Sequence, residues 1–354
     1  MGCLGLHSLP NQLPATFAQP DAMRDYFFPP FDFTTVFAEP WAETVDFEWN
    51  IQIVLMGFLV CLACGMIGNF VVARRLALVG DAISHSLLPG IAVAFLITAS
   101  RSVPAMFVGA AMAGVLTTFL IEFIHRKSRV KPDAAIGIVF TTLFAVGVVV
   151  ISLWLDKVHL DAECVLYGEI GFVPQLEVVS MGGMSFGPRP LVTMGAVAIL
   201  NLALVTIFYR QLLVTSFDPG LARSLGMPVN ATHYGLMIAL AITIVAAFEA
   251  VGVVLVIAML IFPAVTAGFF FERLPALLWS TVPLSLAYSL GGFHLAGWLD
   301  CSIAGAMVVV AGFLFASAWF FGPRGGLLHH PRLRKGILRS YKIEPPADIS
   351  PQTR

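Results

Sequence analysis

Residues 78–90 read LVGDAISHSLLPG and set a carboxylate, Asp81, and an imidazole, His85, inside one of the most apolar parts of a 354-residue chain. Two residues four apart share one face of a helix. An ionisable group that faces lipid costs several kcal/mol, so such a pair needs a partner or water. The surrounding sequence decides that the segment lies in a membrane. The chain is 58% hydrophobic with 12% charged residues, and its mean hydropathy is +0.88. A soluble domain is about half apolar and about 25% charged.

A spanning helix needs about 20 largely apolar residues. Runs of that kind lie near 50–73, 77–98, 103–124, 133–155, 190–209, 230–248, 250–271, 275–293 and 301–321. The expected fold is therefore all-α and polytopic, with about nine transmembrane helices. The sixth and seventh runs are continuous except around FEAVG, where Glu249 and Gly252 predict a tight turn. With the N-terminus outside, sixteen of the twenty Lys and Arg fall on the cytoplasmic side, so the positive-inside rule gives an N-out, C-in chain.

Three regions follow. Residues 1–48 are acidic and aromatic without the basic start and apolar core of a signal peptide, and they are expected to form an external tail, with Met23 an alternative start. Residues 49–322 form the transmembrane domain. Residues 323–354, including PRLRKGILRSYK, form a basic cytoplasmic tail suited to a lipid headgroup surface. A net charge of −1 leaves no global basic surface for nucleic acid. The five cysteines are scattered, and CLAC at 61–64 sits within a span, where small polarizable packing residues are expected rather than a disulfide or redox site.

Asp81 and His85 can be read as polar glue between helices or as a transit site for a divalent cation. Buried ionisable residues in membranes are functional by default. Oxygen plus imidazole suits manganese, iron or zinc. Two ligands are too few for a closed cage, and an ion in passage must not be held too tightly. Pro89 and Gly90 can loosen the helix just beyond the pair.

Three further segments carry chemistry. The loop between the fourth and fifth spans holds His159, Asp161 and Glu163, which can act as an outer cation mouth or as plain loop charges. On the cytoplasmic side, SFDPGLARSLGMPVN at 216–230 predicts a short helix. Asp218 serves as N-cap, Pro219 fits the first turn, Leu221, Ala222 and Leu225 form an apolar stripe, and Gly226 ends it. With Phe217 before it, this helix is either a docking element or an amphipathic connector. Asp300 is expected to cap the last helix, and His294 to sit at the interface rather than bind an ion. No G-x-x-x-x-G-K-[ST] or H-E-x-x-H occurs, so the chain shows neither a P-loop nor the common zinc peptidase motif.

The stretches RRLALVGDAISHSLLPGIAVAFL, KPDAAIGIVFTTLFAVGVVV, FDPGLARSLGMP, VGVVLVIAMLIFPAVTA and GWLDCSIAGAMVVVAGFLFASAWFFGPRGGL resemble, in this order, the membrane permeases of ABC importers for manganese, zinc and iron. The resemblance covers residues 50 to 328. It implies a non-enzymatic subunit of the bacterial cytoplasmic membrane that pairs with itself or a paralogue to form one pore. A separate ATPase, carrying ATP and Mg2+, would dock below, and an extracytoplasmic metal-binding protein would deliver the ion above. This chain would bind no cofactor and would pass Mn2+, Fe2+ or Zn2+ as substrate. By position, Asp81 and His85 match the family's intramembrane metal residues, and FDPGLARSLG matches its coupling helix, which favours docking for Phe217, Asp218, Pro219, Leu221, Ala222, Leu225 and Gly226. A proton-driven secondary transporter using the same pair as a relay, an intramembrane hydrolase, and a permease for chelated iron remain the alternatives.

Overall fold

Hydrocarbon offers backbone N–H and C=O groups no partners, so long apolar runs must satisfy them internally and coil into helices. The computed structural model describes residues 32–42, 44–98, 103–154, 170–181, 184–324 and 326–329. A short α1 (Phe33–Phe37) precedes the long α2 (Thr44–Ala73), α3 (Ala77–Thr98), α4 (Val103–Lys127) and α5 (Pro132–Trp154). A two-stranded antiparallel hairpin, β1 (Val178–Met181) and β2 (Met184–Pro188), leads into α6 (Arg189–Ile207). Then come α7 (Tyr209–Phe217), α8 (Pro219–Ser224), α9 (Val229–Gly268), α10 (Leu274–Leu299) and α11 (Ile303–Phe321).

Among the described residues eight helices are long and apolar enough to cross a membrane. The ninth expected span is shorter: its apolar helix covers only Leu255–Gly268. The cause is Gly252, whose φ of 73° and ψ of 171° break α9. A methyl group on Gly80 of α3 would lie 2.6 Å from Leu260 Cδ2 and 3.9 Å from Ile244 Cδ1. In a straight helix those two residues would stand about 24 Å apart, so the chain doubles back at Gly252. The turn expected around FEAVG is therefore present. The returning half buries Leu255, Val256, Met259, Leu260 and Ala267 within the bundle. A segment enclosed by protein has no need to match the bilayer thickness.

Small and polar residues hold the helices together. Asn69 of α2 donates to Thr281 Oγ1 of α10 at 2.9 Å, and Asn201 of α6 donates to Thr243 Oγ1 of α9 at 2.8 Å. Cys61 and Cys64 are free thiols fully buried in α2, in keeping with a packing role. Gly68 is the tightest crossing, because a methyl group there would overlap the Leu260 carbonyl. Gly68→Ala is expected to destabilise the protein by about 1–3 kcal/mol, the usual cost of overpacking. Gly137→Ala, with nothing within 4 Å, is expected to leave stability unchanged or slightly raised. Thermal unfolding of the two variants in detergent compares them directly.

Candidate metal transit site and coupling segment

The position of Asp81 follows from the turn before it. Helix α2 ends with Arg75 in the left-handed region at φ 60°. Leu76 N–H reaches back to Val71 O at 3.0 Å and Arg75 N–H to Val72 O at 2.9 Å. This paired arrangement satisfies the last carbonyls and turns the chain sharply into α3. Val79, Ala82, Ile83, Ser86 and Leu87 of α3 are buried. Leu78, Asp81, His85 and Leu88, spaced by three and four, form its open face.

Asp81 Oδ1 and His85 Nε2 stand 3.4 Å apart, and their side chains remain 39% and 35% exposed. The His85 ring lies 5.9 Å from Phe140 and edge-on to Phe144 at 6.1 Å, both on α5. These aromatic walls orient the imidazole and limit the solvent that reaches it. Ser84 does not join the pair, since it is buried and donates to Gly80 O at 3.0 Å. Pro89 has no N–H to give to the carbonyl four residues earlier, which is that of His85 itself. A methyl group on Gly147 would lie 2.8 Å from Pro89 Cδ, so α5 seats closely on this interruption.

Among the described residues no group of three or more His, Cys, Asp and Glu side chains converges. Asp81 and His85 thus offer one carboxylate and one imidazole from this chain. A third of each side chain is open on a surface that is otherwise apolar. At hydrocarbon depth that surface calls for a second protein face or a water-filled path, not lipid.

The two ends of the bundle differ. Arg74, Arg126, Thr215, Ser216, Asn230 and His233 meet at one end. At the other, Trp41 packs on Phe293, and His294 Nδ1 donates to Val36 O at 2.9 Å. The basic end is the cytoplasmic one by the positive-inside rule. From Ala77, Asp81 is ~6 Å and His85 ~12 Å along a helix of ~33 Å. Asp81 therefore lies in the cytoplasmic third of α3, with His85 at its upper edge.

Segment 217–226 folds as expected. Asp218 accepts from Leu221 N–H at 2.9 Å, Pro219 opens α8, and Gly226 takes φ 72°. The apolar stripe divides in two. Ala222 is fully buried against the bundle, whereas Phe217, Leu221 and Leu225 are at least half exposed. The exposed residues combine these large apolar side chains with Arg223 and the small Gly220, Ser224 and Gly226. Their exposure outside the membrane spans suits a protein partner.

Two expectations fall elsewhere. His159, Asp161 and Glu163 lie outside the described residues. Asp300 is the left-handed C-cap of α10 at φ 49°, and Ser302, without a side-chain bond, precedes α11. Sequence reading missed Phe140 and Phe144, although their four-residue spacing matches that of Asp81 and His85.

A bundle of eight spanning helices that leaves an ionisable pair partly open on an apolar face is that of a multi-pass membrane protein. The ABC 3 transport family model matches residues 46–322, and the chain belongs to that family. It is 44% identical to the manganese transport system membrane protein MntD of Bacillus subtilis (strain 168) over 281 residues, covering 79% of this chain and 95% of that protein. Identity to the zinc transport system membrane protein TroD of Treponema pallidum (strain Nichols) is 40% over 295 residues, covering 83% and 79%. The solved structure of PsaBC from Streptococcus pneumoniae in complex with Fab aligns with a TM-score of 0.68 at 28% identity, covering 86% of this chain and all of that one. The chain is thus a multi-pass protein of the bacterial cytoplasmic membrane.

Asp218→Ala removes the cap of α8 and is expected to weaken this helix by about 1 kcal/mol, whereas Asp218→Ser restores most of it. Hydrogen exchange at the Leu221 amide reads the difference.

Proposed function

We propose that this chain is the permease subunit of an ATP-driven importer of divalent transition metal ions, working as a dimer around one pore. The observation that carries the reading is the Asp81–His85 pair, 3.4 Å apart and partly open on an intramembrane face. A second subunit, identical or paralogous, would cover that face and add its own ligands. The chain contributes no enzyme chemistry. ATP and Mg2+ belong to a separate ATPase, for which Phe217, Leu221 and Leu225 offer the contact, with Asp218, Pro219, Ala222 and Gly226 shaping the segment. An extracytoplasmic metal-binding protein supplies the ion from the other side.

Manganese is the first candidate substrate, supported by the name of MntD, and zinc the second, through that of TroD. Iron fits the same oxygen and nitrogen donors. One carboxylate and one imidazole per subunit discriminate weakly among these ions, so the delivering protein sets much of the selectivity. A proton-driven transporter would have no use for the exposed apolar face of α8, and a chelated substrate would give no reason for the pair.

Uptake of radiolabelled manganese tests the proposal in cells that hold this chain with its ATPase and delivering protein, with zinc and iron as competitors. Asp81→Ala and His85→Ala are each expected to reduce uptake to background at unchanged membrane levels. Persistent uptake in both variants would reduce the pair to helix glue.

A further inference from the structure

Beneath the metal pair lies a polar cluster that the transport reading leaves without a role. Arg74 closes α2, and its guanidinium donates to Thr215 Oγ1 and Ser216 Oγ of α7, each at 2.9 Å. A third contact joins Arg74 Nη1 to His233 Nδ1 of α9 at 3.3 Å. A guanidinium can only donate, so Nδ1 accepts and the ring proton resides on Nε2. His233 Nε2 then faces Glu122 Oε2 of α4 at 3.3 Å. Glu122 also pairs with Arg126, whose Nη2 donates to Asn230 Oδ1 at 3.2 Å. A branched set of hydrogen bonds and ion pairs, meeting at Glu122, therefore joins the inner ends of α2, α4, α7 and α9.

The cluster brackets the coupling segment. Thr215 and Ser216 directly precede Phe217, and Asn230 and His233 open the helix that follows Gly226. Burial pushes the Arg74 guanidinium below its usual pKa, yet no carboxylate among the hydrogen bonds above contacts it directly.

From Arg74 the path to the metal pair is short. The compact turn at Arg75 hands the chain to Ala77, and Asp81 follows about 6 Å along α3. A second path runs through α4, which meets α3 where a methyl group on Gly109 would stand 2.5 Å from Gly90 O. A shift of segment 217–226 thus reaches the helix carrying Asp81 and His85 from two sides.

We propose that Arg74, His233 and Glu122 are positioning residues that transmit movement of segment 217–226 to α3, so that ATP hydrolysis on the partner is spent on moving the ion past Asp81 and His85. This inference rests on the transport reading above. None of the three residues touches the ion. Arg74 is the central element because its planar fork serves three acceptors at once, which a lysine ammonium cannot reproduce.

The test uses the complete permease–ATPase complex with its delivering protein in proteoliposomes, and measures manganese uptake and ATP hydrolysis together. Arg74→Lys, His233→Gln and Thr215→Val are expected to lower the ions moved per ATP by roughly tenfold, within the range of ordinary couplings between sites. Hydrolysis and complex assembly are expected to persist. Thr215→Ser keeps the hydroxyl and is expected to hold the native ratio, which distinguishes a link from general loss of packing. A native ratio in Arg74→Lys and Thr215→Val, or a parallel fall of uptake and hydrolysis, overturns the link while the transport reading stands. A native complex that hydrolyses ATP without moving manganese, zinc or iron overturns both.

Discussion

The cost of placing a carboxylate in hydrocarbon governs the rest of this molecule. Asp81 sits on an apolar helix, and its nearest compensating group, His85, is one turn away and only partly enclosed. Two side chains alone do not repay that desolvation, so the face they share demands water or another protein surface. The packing of α3 follows from this need. Its opposite face is buried against the bundle, leaving the polar stripe as the uncovered side. Phe140 and Phe144 stand beside the imidazole, and Pro89 removes one hydrogen bond from the helix just beyond it.

Around that stripe the bundle relies on close approach more than on bulk. Helices in lipid gain nothing from hiding apolar surface from one another, so small residues and interhelical hydrogen bonds supply the contact. Gly68, Gly90 and Gly109 admit neighbouring backbones, while Asn69 and Asn201 bond across helices. Gly252 adds a reversal that encloses a short apolar segment in protein, where its unusual length carries no penalty.

Much of this was legible in the sequence because it depends on local patterns. The third helix runs over Ala77–Thr98, the same bounds as the second apolar run, and the Asp218 cap, Pro219 and Gly226 occupy their expected places. The failures involve context. Hydropathy marked the stretch after Gly252 as a full span, since composition does not reveal how early a glycine lets the helix begin again. Asp300 carries a side chain suited to capping the next helix, but the left-handed close of α10 claimed it first. Ala222 and Leu221 are equally apolar in sequence, and only the neighbouring bundle decides which is covered. The Arg74, His233 and Glu122 cluster joins residues far apart along the chain, so no periodicity announces it.

The depth of the Asp81–His85 pair has an electrical consequence for the proposed transport. A divalent cation that reaches the cytoplasmic third of α3 from outside has crossed most of the membrane before meeting Asp81 and His85. In a cell whose interior is negative, crossing two-thirds of an even field favours a doubly charged ion by ~3 kcal/mol per 100 mV. If the pair takes the ion as proposed, its occupancy is tied to the membrane voltage. On that proposal an energised cell would fill the site at external metal levels too low to fill it in a depolarised one, although ATP would drive the cycle.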